Sequence, residues 1–199
     1  TEAGRILTGY YNCIQCHQIE EIGGYVKATL EDEAMAPPYL FPEGSKVQEP
    51  WLHGFLKGPT PIRPWLNLRM PTFQLTDAEI GTITKYFLAL HNKELELRDY
   101  QQAPPDQKHL AVGKALFTDL QCLNCHYTGS IPAGRGPGDL APNLAMANQR
   151  LKPEWISAWI GKPDSIQPGT KMPSFFPDLN EKSPYSEEFG ADTKEQIKA

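Results

Sequence analysis

Two short stretches of the chain bring two thiols and an imidazole within five positions: CIQCH at residues 13–17 and CLNCH at residues 122–126. A CxxC pair can supply half of a zinc site or an exchangeable redox dithiol, and a CxxC followed directly by histidine can anchor a c-type haem. The two copies use all four cysteines of the chain. No thiol is left for a disulfide or for nucleophilic catalysis.

The histidine after each CxxC favours haem over the other two chemistries. Two thiols two residues apart can add to the two vinyl groups of the macrocycle, while the adjacent imidazole binds the iron. A Cys₄ zinc site would need the two motifs to converge, although more than a hundred residues separate them. The sequence therefore predicts two covalently bound haem c groups, with zinc and a redox dithiol as the alternatives.

The two halves of the chain are copies of each other. Shifting the sequence by 109 positions lays residues 3–17 on residues 112–126, with a glycine, a basic residue, an apolar pair and CxxCH in common. Three further pairs follow in the same order: PYL at 38–40 with PNL at 142–144, EPWLHGFLKGP at 49–59 with PEWISAWIGKP at 153–163, and RMPTF at 69–73 with KMPSF at 171–175. This order predicts two similar domains.

The repeat also separates the methionines and histidines that could bind iron. Met70 and Met172 are equivalent and each precedes a proline that stiffens its loop, which predicts that they are axial ligands of the kind that raises a haem potential. Met35 and Met146 have no such counterpart and are expected to fill space in the core. Three histidines also lack a partner in the opposite half and are expected to be hydrogen-bonded or exposed: His53, His91 and His109.

Through the CxxCH, PxL and MP elements of both halves, nearly the whole chain resembles the class I cytochromes c, specifically tandem dihaem cytochromes. The resemblance implies an all-α fold in which each small domain surrounds one covalent haem. The implied haem-binding residues are Cys13, Cys16, His17, Cys122, Cys125 and His126, with Met70 and Met172 as the second axial ligands. It further implies that the carbonyls of Pro38 and Pro142 accept hydrogen bonds from the axial histidines.

Helical sequence signals surround these motifs, and no stretch shows the alternation of polar and apolar residues that is typical of a strand. We expect helices near residues 3–14 and 110–123 that run into each CxxCH, and helices that begin near Pro50 and Pro153. Thr76 and Glu79 form a capping box that opens an amphipathic helix over roughly 77–91. The predicted boundaries are domain 1 at 1–97, a polar linker with a Pro-Pro pair at 98–109, and domain 2 at 110–199. The last helix is expected to be shortened and completed in a longer protein.

Charge and ligation together define the expected function. The formal net charge of −5 makes a nucleic-acid partner unfavourable, and no apolar run is long enough to span a bilayer. A haem iron bound by histidine and methionine has no open coordination position. The expected activity is therefore one-electron transfer between redox partner proteins rather than enzymatic catalysis. The alternative is a peroxidase-like or reductase haem enzyme with one open iron. We expect the chain to lie in a bacterial periplasm or at an extracytoplasmic membrane face, tethered to a respiratory membrane complex.

Overall fold

The computed structural model describes residues 1–90, 106–136, 139–176, 180–185 and 188–199. Its contacts divide the chain into two compact units. Unit 1 is Thr1–Asp99 with Met146–Lys152, and unit 2 is Tyr100–Ala145 with Pro153–Ala199. His91 and positions 98–105 of the expected linker lie outside the described residues.

Helices make up most of the regular structure in the described part of unit 1. In chain order they are α1 Glu2–Tyr10, α2 Cys13–Cys16, α3 Glu43–Lys46, α4 Glu49–Lys57, α5 Asp77–Leu90 and α7 Ala147–Arg150. Single 3-10 turns lie at Tyr25–Thr29 and Glu33–Met35. Pro50 occupies the first turn of α4, where a missing N–H costs nothing, which confirms the expected helix start.

The capping box of α5 forms as the sequence predicts. The Glu79 carboxylate accepts the backbone N–H of Thr76 at 2.8 Å, and the Thr76 hydroxyl accepts the backbone N–H of Glu79 at 3.3 Å. The tyrosine hydroxyl of Tyr11 also donates to this carboxylate at 2.7 Å. These bonds fix the start of the longest helix and tie it to the end of α1.

The core of unit 1 forms where α1, α3 and α4 pack on α5. Its buried side chains are Ile19, Val47, Leu52, Leu56, Leu75, Ile80, Ile83, Tyr86 and Phe87. Burying a large apolar side chain contributes roughly 1.5–3 kcal/mol, so this cluster is a main source of stability. Gly4 lets α1 approach α5 closely, because a Cβ there would lie 2.9 Å from the Thr82 carbonyl oxygen and closer still to the Tyr86 side chain.

A small hairpin departs from the expectation that the chain has no strands. Strand β1, Gln18–Ile19, pairs antiparallel with β2, Ile22–Gly23, and the pair Gln18 and Gly23 sets the register. Glu20 turns the chain with a φ of 57°. Strands of two residues are too short to show the alternation of polar and apolar residues by which strands are recognised.

Unit 2 contains α6 Gln107–Asp119, α8 Pro153–Gly161, α9 Pro163–Ile166 and α10 Thr193–Lys198. α8 begins at Pro153, as expected. Asp192 caps α10 by accepting the backbone N–H of Glu195 at 3.1 Å. α10 packs against α6 and α8, and its Thr193 and Gln196 side chains are almost completely buried.

The close approach of α10 to α6 again depends on a glycine. A Cβ at Gly113 would collide with the carbonyl group of Ala199, as the one at Gly4 would collide with α5. Gly4 and Gly113 are equivalent in the repeat, so both units use the same position for a helix crossing. Within the described ranges, no helix is both long and apolar enough to cross a lipid bilayer.

Candidate functional sites

Each CxxCH motif sits on a tight turn that begins with a left-handed residue. Asn12 has φ 55° and ψ 32° before the first motif, and Gln121 has φ 53° and ψ 39° before the second. The backbone N–H of His17 then donates to the Cys13 carbonyl at 2.9 Å, and His126 repeats this bond to Cys122 at 2.9 Å. The two turns therefore share a left-handed first residue and the hydrogen bond that closes the turn.

These left-handed residues correct one expectation from the sequence. The helices expected near 3–14 and 110–123 do not run into the motifs: α1 ends at Tyr10 and α6 ends at Asp119. A left-handed residue cannot continue a right-handed helix, so the chain turns before the first cysteine of each motif. The first motif then forms the short helix α2, whereas the second forms a 3-10 turn at Cys122–Asn124.

Both motif histidines are held by a proline carbonyl. His17 Nδ1 lies 2.9 Å from the Pro38 carbonyl oxygen, and His126 Nδ1 lies 2.8 Å from that of Pro142. A carbonyl oxygen can only accept, so Nδ1 carries the proton and Nε2 keeps its lone pair. An imidazole in this tautomer is oriented and ready to bind a metal through Nε2.

Backbone hydrogen bonds fasten the proline segments to the motifs. The Leu40 N–H donates to the Gln18 carbonyl at 3.0 Å, and the equivalent Leu144 N–H donates to the Tyr127 carbonyl at 2.9 Å. These bonds hold each PxL segment beside the residue that follows the motif histidine. The proline carbonyl is thereby placed by the backbone, independently of side-chain packing.

The thiols are not joined as disulfides. Cys13, Cys16 and Cys122 are half-buried, and Cys125 is exposed. Burial raises the pKa of the Cys13 and Cys122 thiols above the ordinary value. A redox-active dithiol needs a thiol pKa that is lowered by its surroundings, so this environment does not favour the dithiol alternative.

The methionine expected to face His17 lies in the same region as the first motif. Met70 is partly buried and packs against the unit 1 core, and Cys13, Ile14 and Leu40 pack against that core as well. In unit 2, Met172 is half-buried and its N–H donates to the Thr170 hydroxyl at 3.3 Å. Both methionines stay predictions as iron ligands.

The remaining histidines have ordinary polar partners. His53 Nε2 pairs with the Asp77 carboxylate at 3.1 Å, and His109 Nδ1 pairs with the Asp106 carboxylate at 2.8 Å. Both imidazoles agree with the expectation that they are hydrogen-bonded or exposed. The tryptophans stack on aromatic neighbours, Trp51 on Phe55 and Trp155 on Trp159.

Charged residues that sequence reasoning did not select surround His17. Burial lowers the pKa of His17, the hydrogen bond to Pro38 and the Glu43 carboxylate raise it, and the Lys46 and Arg63 cations lower it further. Lys46 Nζ lies 3.2 Å from Glu43, and both side chains are buried. No sequence motif marks these residues, because their role depends on where loops distant in sequence are packed.

The residues present fit a covalently bound haem in each half. Each motif presents two unpaired thiols on one turn, and its imidazole has Nε2 available for iron. Among the residues that the structure describes, no group of three or more His, Cys, Asp or Glu side chains is placed to hold a metal ion, as a structural zinc site would require.

Comparisons with known proteins give one informative similarity. No protein-family model matches the chain, and no solved structure matches it. A stretch of 120 residues is 35% identical to cytochrome c oxidase subunit 2 of Bacillus subtilis (strain 168). This stretch covers 56% of the chain and 33% of that protein, so the chain spans about a third of the length of this curated relative.

This similarity corrects one expectation and supports part of others. The expectation that the chain is not an enzyme is wrong on this finding, because the relative is by name a subunit of an oxidase, which is an enzyme. The similarity supports a role in respiratory electron transfer beside other proteins of a bacterial complex. The number of haems, their ligands and the tandem domain family stay predictions.

Proposed function

We propose that the chain is a two-haem electron-transfer segment of a respiratory oxidase complex, built from two class I cytochrome c domains in tandem. The first haem is held by Cys13, Cys16 and His17, and the second by Cys122, Cys125 and His126. Met70 and Met172 are the second axial ligands. The segment accepts single electrons from a redox partner protein and passes them on within the complex.

The observation that carries this proposal is the repeated hydrogen bond between each motif histidine and a proline carbonyl. The repeat alone requires only similar sequences. The structure adds that Nδ1 of His17 and of His126 makes the same contact with a proline carbonyl, at 2.9 Å to Pro38 and 2.8 Å to Pro142. A structural histidine would not need its second nitrogen kept available, whereas a metal ligand does.

The residues of the chain have distinct tasks in this function. The thiols anchor the cofactor covalently, and the proline carbonyls keep the imidazoles aligned and increase their basicity. The apolar side chains near Cys13 and Met70 exclude water from the iron ligands. When bound, haem supplies an iron that alternates between the ferric and ferrous states, and Met/His ligation raises its potential.

The similarity to an oxidase subunit supports the assignment of partners and location. We place the segment at the extracytoplasmic face of a bacterial membrane, where it works beside the other subunits of the complex. Its formal charge of −5 favours a donor that presents a basic surface. Electron transfer from that donor should slow as salt rises, because exposed charges are screened.

Mass and spectroscopy test the proposal directly. The denatured polypeptide should carry the mass of two haem groups, and the reduced-minus-oxidised spectrum should show c-type haem in a ratio of two per chain. A mass equal to the bare polypeptide, or raised by one haem only, would contradict the proposal.

The ligands are tested by substitution. Met70→Ala and Met172→Ala should each open one iron, which then binds carbon monoxide in the reduced protein, and each should lower one of two potentials. Met35→Ala is the matched control, because this half-buried methionine is not expected to bind iron. Rapid carbon monoxide binding by the unaltered protein would favour the open-site haem enzyme instead.

A further inference from the structure

The loop between the second motif and its PxL element contains an arginine that contacts the motif itself. Arg135 donates from Nη2 to the carbonyl of Asn124, the residue that directly precedes Cys125 in the motif. The same nitrogen donates to the Asp139 carbonyl at 3.2 Å. Both acceptors are backbone oxygens, so the guanidinium joins the motif to the loop that leads to Pro142.

The side chain of Arg135 is turned towards the protein. Arg135 is half-buried, and its Nε atom is buried without a hydrogen-bond partner among the described residues. The loop is braced at Asp139, whose carboxylate accepts the Gly136 N–H at 3.3 Å and whose own N–H donates to the Gly136 carbonyl at 3.0 Å. These bonds hold the loop where the arginine meets the motif.

The peptide that Arg135 contacts is weakly held by the backbone of the motif. Its N–H, that of Cys125, donates to the Cys122 carbonyl at 3.3 Å, which is longer than the usual range of roughly 2.7–3.2 Å. The second motif is only a 3-10 turn, whereas the first forms the helix α2. Arg135 adds a charge-assisted hydrogen bond to the Asn124 carbonyl at the other end of this peptide.

The following peptide is also held from the loop. The Ala141 N–H donates to the Cys125 carbonyl at 2.8 Å. Cys125 therefore lies between two anchored peptides, one fixed by the side chain of Arg135 and the other by the backbone of Ala141. Together these two contacts set the direction of the bond from Cα to Cβ of Cys125.

The first half fastens its motif in a different way. There the Gly24 N–H donates to the Ile14 and His17 carbonyls, at 2.8 and 3.1 Å. Arg135 has no basic counterpart in that half: counted from the CxxCH motif it aligns with Val26, and counted from the PxL element it aligns with Glu31. The second half therefore uses a side chain where the first uses the backbone of its hairpin.

The direction of a cysteine matters for the attachment of haem. Attachment adds the S–H group across a vinyl C=C bond: a carbon–sulfur bond forms on one vinyl carbon, the proton goes to the other, and no electrons are exchanged. Such a step is efficient only when the reacting atoms are held about 3–3.5 Å apart and aligned.

We propose that Arg135 is the positioning residue for the thioether bond of Cys125. The inference rests on the proposed function, since it requires a haem at the second motif. Cys125 is the exposed thiol of its pair and Cys122 is half-buried. Side-chain packing therefore restricts Cys125 less than Cys122, and its placement depends more on the backbone that Arg135 holds.

The test counts free thiols in the full chain, produced in cells that attach haem c and denatured before alkylation with iodoacetamide. Alkylation modifies only the cysteines that have not reacted with a vinyl group, and peptide mass identifies them. Losing a hydrogen bond from a charged group should lower the population of the positioned conformer about tenfold. Arg135→Gln should therefore raise the alkylated fraction of Cys125 about tenfold, while Cys122 keeps the second haem attached.

Two further variants isolate the effect. Arg135→Lys keeps a cationic donor near the Asn124 carbonyl, so it should restore most of the protection of Cys125. Lys114→Gln is the matched control, because it removes a positive charge from an exposed position of unit 2 and should leave all four cysteines protected. The visible spectrum of the denatured, reduced protein gives a second readout, since an unreacted vinyl group stays conjugated with the macrocycle and shifts the band of that haem to longer wavelength.

The outcomes separate this inference from the proposed function. Two haems per chain with a fully protected Cys125 in Arg135→Gln would overturn the inference alone. Free Cys122 together with free Cys125 would also overturn it, because Arg135 would then support the fold of unit 2 rather than the placement of one thiol. An equal rise in Lys114→Gln would do the same, since the loss of any positive charge would then suffice. Fewer than two haems in the unaltered protein would overturn the proposed function.

Discussion

Substituting Gly23 should damage the first motif more than any other small change in its loop. Gly23 has a φ of 94°, and a Cβ there would lie 2.5 Å from the Ile14 carbonyl oxygen and 2.7 Å from that of His17. The same two carbonyls accept the N–H of Gly24, at 2.8 and 3.1 Å. An added methyl group would therefore push on the backbone that carries the motif histidine.

The expected cost has two parts. A non-glycine residue in the left-handed region costs about 1–2 kcal/mol, and forced overpacking adds about 1–3 kcal/mol. Alanine returns about 0.4–1 kcal/mol by restricting the unfolded chain. We therefore expect Gly23→Ala to lower the free energy of unfolding of unit 1 by about 1–5 kcal/mol.

Gly129→Ala, in unit 2, is the control for the conformational cost alone. Gly129 also has a positive φ, 81°, but nothing lies within 4 Å of its would-be Cβ, so it should lose only about 1 kcal/mol. Denaturant unfolding followed by far-ultraviolet circular dichroism gives both values, and a Soret titration shows whether the first haem shifts. Equal losses in the two variants would show that contact with the motif carbonyls has no energetic effect.

Two other predictions concern charged side chains of unit 1. Lys152→Met should lower the free energy of unfolding by about 3–5 kcal/mol, because it leaves the buried Glu49 carboxylate without its ammonium partner. Adding Glu49→Gln to this variant should restore part of the loss in the same denaturation assay. Hydrogen bonds from Thr76 lower the pKa of Glu79. The stabilisation from Glu79 is therefore complete above the ordinary glutamate pKa and is lost as pH falls through the lowered value, so Glu79→Gln should flatten the acid dependence of the melting temperature.

Features encoded by neighbouring residues were predictable from the sequence. The capping box of α5 needs only a threonine and a glutamate three positions apart, and the first turn of α4 tolerates Pro50 whatever packs around it. The hydrogen bonds of Pro38 and Pro142 were expected because the family resemblance places each proline near its histidine. In these cases a short pattern specifies one local geometry, which packing does not override.

Features that depend on long-range packing were not predictable. Nothing in the sequence of Met146–Lys152 indicates that it packs with unit 1, since the repeat assigns it to the second half. The sequence predicts ends for α1 and α6 that are too late, because Asn12 and Gln121 carry no obligatory signal for the left-handed region. Asparagine adopts this region only with moderate preference, and glutamine less readily still.

The two motifs are alike, whereas the charged residues around them differ. Under the proposed function, these residues should affect the potentials of the two haems differently. The bond that closes each motif and the bond from each histidine to a proline carbonyl are the same in both halves, so these features cannot make the potentials differ. Around His17, however, the Lys46 and Arg63 cations and the Glu43 carboxylate act on the imidazole, and Arg150 acts in turn on Arg63. A positive environment stabilises the reduced iron, so the balance between these cations and Glu43 should shift the potential of the first haem through packing rather than through its ligands.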